Sequence, residues 1–461
     1  MKKLLNMVKH FILLISIIVL IGCNQEKKNE INYDLVISSV NLIDGTGNDI
    51  RQNVNVYIKD SRISRIDTLK VGVGKETALV NGKGKYLIPG LIDGHAHPGP
   101  PEENFPKFIH YGVTGILVPG CGHCSDEHYT HMRNISKDTI IPSPRVYHTS
   151  QHFTMEGRHP VKTYGGDQWV HEKTVFLLED TLQIAAYVKR VAQNPIKGIK
   201  VTIEDGPHPP FVPRIPQEFV TKIVKEAKKY DLEVFAHVDD MEEVRIAEKA
   251  GVQNIIHFIG VDVIWERDKE VIESLGSRNV SWVTTLMMGK SFMYPLNPEW
   301  LEAPELALVY KPEDTKLHIT PERIQLANEI NDFIENVMGI PDPNLENTSI
   351  PQVEDIKLLE QAGCNIVIGT DTYNAFIFPG YSMHEEMQLM EIGGYRPIEI
   401  IKMATLNAAK MLHVEDSIGS IEIEKKADMV LLHKNPLESI SNTLAIHTVI
   451  KNGIIQKRII Q

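Results

Sequence analysis

Five residues of cation-binding type and one lysine each lie in or beside a short apolar run. His95 and His97 close GLIDGHAH (90–97), and Lys200 sits in GIKV (198–201). His237 lies in LEVFAHV (232–238), His257 in NIIHFIG (254–260), and Asp371 ends NIVIGTD (365–371). In an extended strand, alternate residues share a face, so His95 and His97 can grip one ion together. Imidazole nitrogen and carboxylate oxygen as a donor set suit zinc or a similar divalent ion.

Lys200 poses a separate question. In IKGIKVTIE (196–204), Ile199, Val201 and Ile203 share one face, and Ile196, Gly198, Lys200 and Thr202 the other. A lysine in that setting is a solvated charge, an ion-pair partner or a chemical group. A free ammonium cannot ligate a cation, but burial among small and apolar groups favours the neutral amine. Lys197 has the opposite parity and is expected to be a plain solvated lysine.

The elements that would position these residues follow from the apolar pattern. Eight runs of strand length alternate with helical stretches: 86–97, 112–120, 145–150, 196–204, 232–238, 254–260, 280–286 and 365–371. QEFVTKIVKEAKKYD (217–231) has an apolar face, and EDIKLLEQAG (354–363) ends in a glycine stop. Eightfold strand–helix alternation predicts an α/β fold of the (β/α)8 TIM-barrel kind, over residues 88–412. Barrel enzymes place their sites at the carboxyl ends of the strands, and all six residues fall near such ends. The long interval between the last two runs holds TPERIQLANEINDFIENVM (320–338), an expected helical insertion. Short β segments at 33–87 and 413–461 predict a small β-sandwich domain formed by both terminal segments.

MKKLLNMVKH followed by FILLISIIVLIG (11–22) has the basic and apolar regions of an export signal. The apolar run is short of the roughly 20 residues that span a bilayer. LIGC (20–23) resembles a bacterial lipobox, so residues 1–22 are expected to be a lipoprotein signal peptide and Cys23 the lipidated residue. Residues 23–32 would then be a tether. The implied location is the periplasmic or cell-surface side of a bacterial membrane, held by the lipid anchor. Of 461 residues, 42% are hydrophobic and 23% charged, with formal net charge −12. The composition is that of a globular protein, and the charge argues against nucleic acid as a partner. With few cysteines beyond Cys23, this is no disulfide scaffold.

GLIDGHAH, GTDT (369–372) and the stretch MATLNAAKMLHVEDSIGSIEIEKKADMVLLHKNPLESI (403–440) together resemble the amidohydrolase superfamily. The resemblance covers essentially the mature chain and implies a metal-bearing (β/α)8 barrel flanked by a β-sandwich. GIKV is similar to the fourth strand of the binuclear, prolidase-like branch, whose lysine carries carbon dioxide as a carbamate. Carried over, His95, His97 and Asp371 would hold one divalent ion, expected to be zinc. His237 and His257 would hold a second, and carboxylated Lys200 would bridge the two. Asp371 would act as general base and then acid on a C–N bond of a dipeptide or an N-acyl-amino acid. Two departures stand out. The second run lacks the family's usual polar-Arg-Asp ending, and Glu424 occupies a usual glycine position.

Two other readings stay open. One is a mononuclear deaminase or imidazolonepropionase-like cyclic amidohydrolase. Those members carry HxxE after the fifth strand, where this chain has Asp240 in the glutamate position. The other is a catalytically inactive ligand-binding lipoprotein. CGHCSDEHYTH (121–131) matches a redox CxxC and, with His128 and His131, mimics a zinc site. Its context favours a short disulfide clasp or free thiols between Cys121 and Cys124. His152, His208 and Arg214 fall in loops expected to face the pocket, where Arg214 would either bind a substrate carboxylate or remain a solvated charge. A small-molecule or dipeptide substrate is the expected partner, and a homo-oligomer is compatible with the sequence.

Overall fold

The computed structural model describes residues 1, 32–69, 72–137, 140–207, 210–258 and 263–459. The signal and lipobox with Cys23, nearly all of the tether, and His208 lie outside the described residues. Among the described residues, no helix is long and apolar enough to cross a membrane.

Both ends of the chain build one sheet. β1 (Leu35–Leu42), β2 (Arg51–Lys59), β3 (Arg62–Asp67), β4 (Ala78–Asn81) and β5 (Tyr86–Pro89) come from the amino-terminal part. In this sheet β5 pairs antiparallel with a late strand, Met429–Leu432. That strand pairs in turn with Ile446–Lys451, and Ile450–Lys451 with Ile454–Ile455. Leu35, Ile37, Val56, Ile58, Met429, Leu431 and Ile450 pack together in a core distinct from the main one.

The central elements are parallel. β6 (Leu91–Asp93), β7 (Val113–Val118) and β8 (Arg145–His148) form one sheet. The other contains β9 (His152–Thr154), β10 (Val175–Leu177), β11 (Gly198–Thr202), β12 (Glu233–His237), β13 (Asn254–Ile256), β14 (Ser281–Val283) and β15 (Asn365–Val367), in the order β10-β9-β11-β12-β13-β14-β15. The sheets meet along both edges. Gly94 N donates to Ile368 O at 2.9 Å and Asp371 N to His95 O at 2.9 Å. On the other side Lys197 N donates to His148 O at 2.8 Å and Ser150 N to Gly198 O at 2.9 Å. This is the mixed α/β, parallel-sheet arrangement the alternating pattern demands.

Helices cover the outer faces. Gln217–Ala227 buries Phe219, Ile223 and Ala227 of its apolar face, with Val220 buried beside them and Val224 half-buried, and Leu345–Ala362 ends at Gly363 with φ +111°. The insertion carries the helix Pro321–Asn336, opened by the Thr320 side chain accepting from Arg323 N.

Three local expectations are corrected. The run 86–97 is two strands in two sheets, because the chain turns at Pro89-Gly90. A side chain at Gly90 would collide with Thr114, whose Oγ1 lies 2.1 Å from where a Cβ would sit. The terminal sheet therefore extends past residue 87. β9 and β10 were not foreseen, since three residues of HFT or VFL carry too little pattern. Lys197 is half-buried, with its ammonium 5.3 Å from the Tyr147 ring centroid, and burial lowers its pKa.

Candidate metal centre

The strand ends converge on one cluster. His95 and His97 follow β6, where Asp93 accepts from His95 N at 3.1 Å, from Thr370 N at 3.0 Å and from Thr370 Oγ1 at 2.7 Å. This buried carboxylate ties the end of β6 to the segment leading into Asp371. Asp371 Oδ1 then lies 3.0 Å from His95 Nε2 and 3.2 Å from His97 Nε2, and those two nitrogens are 3.1 Å apart. Ligands on a tetrahedral ion with bonds near 2.0–2.1 Å stand about 3.3–3.4 Å from each other, so this trio is spaced to share one ion. Asp371 Oδ2 accepts from Asn374 Nδ2 at 3.1 Å. His257 also belongs here: ligand atoms of His95, His257 and Asp371 lie within 4.8 Å of one another.

His257 joins this group to His237. Its Nδ1 is engaged with Thr285 Oγ1 at 2.9 Å, which leaves Nε2 facing His237 Nδ1 at 3.0 Å. His257, Thr285 and Asp371 all have left-handed backbones, with φ of +82°, +50° and +58°. Non-glycine residues in that region carry strain, which concentrates at functional sites. Here it turns the chain sharply at the ends of three strands.

Lys200 lies on β11 with every residue of that strand buried. Its Nζ is among the buried side-chain nitrogens without a hydrogen-bond partner. Burial pulls the ammonium down to about 7, against Asp371 and Glu204, which favour the charged form. Its neighbour across the strands is His152, in register on β9. His152 Nδ1 pairs with Thr202 Oγ1 at 2.8 Å, and its ring meets Trp169 edge-on. Gly120, with φ +83°, makes the space: a Cβ there would sit 2.7 Å from His152 Cδ2 and 3.5 Å from Lys200 Cγ.

Burial sets the protonation. It drives His95 down to about 3 and holds His152, His237 and His257 well below the ordinary imidazole value. Burial alone would raise Asp371, but interaction with His95 and the hydrogen bonds from His95 and His97 hold it well below the usual range. The depressed imidazoles of His95, His237 and His257, the ionised Asp371 and a lysine near neutrality make a donor set that suits a cation. The side chain of His97 is 26% exposed while that of His95 is 1% exposed, so the cluster opens on the His97 side.

Arg214 corrects its expectation in both forms. Its guanidinium is held by Asp240 at 2.5 Å, Glu243 at 2.9 Å and Asp205 at 3.0 Å. These carboxylates engage its Nε and one terminal nitrogen, so the guanidinium ties loop to helix rather than standing as a solvated charge. Asp240 caps the helix Met241–Ala250, accepting from Glu243 N at 2.9 Å. Cys121 and Cys124 form a disulfide, and His131 pairs with Glu102 at 2.7 Å, away from the cluster. Glu424 has φ +72°, the conformation for which glycine is favoured.

Two residues of the neighbourhood carried no motif. Glu204 Oε2 touches His237 Nε2, and its Oε1 lies 3.8 Å from His159 Nε2. Burial raises the Glu204 carboxyl. One signal was available: Lys200, Thr202 and Glu204 share strand parity, so Glu204 lies on the lysine face one step beyond the strand.

The amidohydrolase family pattern matches residues 86–455. This chain belongs to the amidohydrolase family. Members of the family generally use divalent metals, and the buried donors above fit such ions. Among curated relatives, this amidohydrolase is 26% identical to a 5-methylthioadenosine/S-adenosylhomocysteine deaminase of Caldanaerobacter subterraneus, over 92% of this chain and 94% of the relative. It is 25% identical to an imidazolonepropionase of Fusobacterium nucleatum, over 83% and 85% of the two chains. Among solved structures, an Xaa-Pro dipeptidase with bound methionine superposes with a TM-score of 0.69 at 21% identity, covering 92% of this chain and 99% of that one. Ochratoxinase of A. niger gives 0.66 at 20% identity, covering 91% and 95%. At these identities the structural likeness speaks for the fold.

Proposed function

We propose that this amidohydrolase is a two-cation hydrolase of amide bonds, acting on a dipeptide or an N-acyl-amino acid. The observation that carries the reading is Lys200, buried beside the histidine cluster with a near-neutral amine and no hydrogen-bond partner. A neutral buried amine can add carbon dioxide, and the resulting carbamate has two oxygens to set between two ions. His95, His97 and Asp371 would hold the first divalent ion, zinc being the best match to the donors, and His237 and His257 the second. A (β/α)8 barrel, closing along the contacts of β6 with β15 and of β8 with β11, would bring these ends together; the backbone hydrogen bonds between those strands support it.

When bound, paired divalent ions would polarise the scissile carbonyl and lower the pKa of a water molecule. The chain supplies the proton transfers. Asp371 receives a proton at Oδ2, the oxygen Asn374 holds in place, and returns it to the leaving nitrogen. His97, the more exposed of its pair, lies on the side from which substrate enters. Hydrolysis of a panel of dipeptides and N-acyl-amino acids tests this reading, which fails if only heterocyclic amines react.

A one-cation deaminase is the second reading, favoured by the names of the curated relatives. Against it, Asp240 is committed to capping its helix and to Arg214, and is poorly placed to shuttle protons. The LIGC signal further supports an exported enzyme anchored to a bacterial membrane by lipid on Cys23. Metabolic labelling with a fatty acid, lost in Cys23→Ala, tests that assignment.

A further inference from the structure

The histidines of the second cation pair must each present one particular nitrogen. His257 has little choice, because Thr285 occupies its Nδ1 and leaves Nε2 free. His237 has two options, since its Nδ1 faces His257 Nε2 at 3.0 Å while its Nε2 meets the Glu204 carboxylate. A neutral imidazole carries one proton. If that proton sat on Nδ1, it would point at the place a shared ion must occupy, and the ring could not bind there.

We infer that Glu204 is a positioning residue for the second cation: it accepts the His237 Nε2 proton and so turns the Nδ1 lone pair toward the ion that His257 shares. Metal-binding imidazoles commonly donate their other nitrogen to a carboxylate, which fixes both the tautomer and the ring plane. The placement of Glu204 suits this role. It lies two residues beyond β11, in the parity of Lys200, and its side chain is 6% exposed. The backbone here is anchored to the residue it orients: Ile203 N donates to His237 O at 3.0 Å and Glu204 N to the same oxygen at 3.4 Å. His159 stands behind it, with Nδ1 paired to Thr163 Oγ1 at 2.6 Å and a buried Nε2 that has no hydrogen-bond partner. That nitrogen sits 3.8 Å from Glu204 Oε1, beyond hydrogen-bond reach, and lines the far side of the carboxylate.

The same three residues admit a different use, as ligands of an ion of their own, since their donor atoms lie within 4.8 Å of one another. That arrangement would draw His237 through Nε2 and away from His257. The two uses respond differently to substitution, because His159 is a ligand in one and a bystander in the other.

The inference rests on the two-cation reading and is tested on the full mature chain by zinc titration against a competing chelator, with thermal unfolding of the metal-free protein as the folding control. The unsubstituted protein is expected to bind two zinc ions. Glu204→Ala should weaken one of the two ions, by about 10- to 100-fold, and leave the other unchanged. Glu204→Gln, which keeps an acceptor oxygen, should recover part of that affinity. His159→Gln should leave both affinities within a few-fold. Two ions held by Glu204→Ala with unaltered affinity would overturn the inference and leave the two-cation reading standing. Equal loss in His159→Gln and Glu204→Ala would overturn it in favour of a separate site. A single ion in the unsubstituted protein would overturn the two-cation reading itself, and this role with it.

Discussion

His95 and Asp371 meet across the junction of β6 and β15, with Nε2 and Oδ1 3.0 Å apart. Residues 276 positions distant in the chain are thus joined where the two parallel sheets come together, and Asp93 braces the same junction through Thr370. Replacing Asp371 by Asn keeps the shape but removes the negative charge and the proton acceptor. Activity should fall by about 100- to 10,000-fold, and affinity for the first ion should fall with it. Steady-state kinetics and a chelator titration on the same preparation check this.

Lys200 gives a pH signature. Its pKa in the folded chain is about 7, below the ordinary lysine value of 10.5. Between those values the unfolded chain holds a proton that the folded chain does not, so stability rises with pH across the window and is lost as pH falls toward 7. In Lys200→Met this dependence is absent. Urea unfolding of metal-free, carbonate-free protein should show the unsubstituted chain gaining about 4 kcal/mol on the variant between pH 7 and pH 10. A gap that does not change with pH would mean that the lysine is charged and paired.

Arg214 should matter for stability rather than for substrate. Arg214→Ala leaves Asp205, Asp240 and the fully buried Glu243 without their shared partner. The expected loss is about 2 kcal/mol, moderated because the arginine is partly exposed. The KM for a carboxylate-bearing substrate should stay within a few-fold. A large rise in KM at unchanged stability would return Arg214 to substrate binding.

Glu424 holds φ +72° on the surface while its N–H donates to Ile63 O at 2.8 Å. Glu424→Gly keeps that bond and removes the left-handed strain. Thermal unfolding should show stabilisation of about 1 kcal/mol, with activity unchanged because the turn lies in the terminal sheet region.

These cases show what the sequence makes legible and why it stops. Strand parity and strand-end position are local properties, so His95, His97, Lys200, His237, His257 and Asp371 could be picked out one by one and are found around one cluster. Glu204 follows the same parity as Lys200, yet a glutamate beyond a strand is ordinary, and only its contact with His237 gives it meaning. Arg214 illustrates the converse. A loop arginine looks free in sequence, and the three carboxylates that engage it come from the segment just before its loop and from the start of a later helix. Parity places Lys197 in solvent, but its ammonium lies against the ring of Tyr147 on β8 and the side chain is half-buried. The division of the run 86–97 at Gly90 depends on Thr114 from another strand, which no pattern within the run can reveal.

Elemental analysis of the purified protein, grown with zinc and bicarbonate, tests the central claim most directly. The account predicts two divalent ions per chain, falling to one in Lys200→Ala together with most amide-hydrolysing activity. One ion per chain in the unsubstituted protein, with ammonia released from a heterocyclic amine, would contradict it.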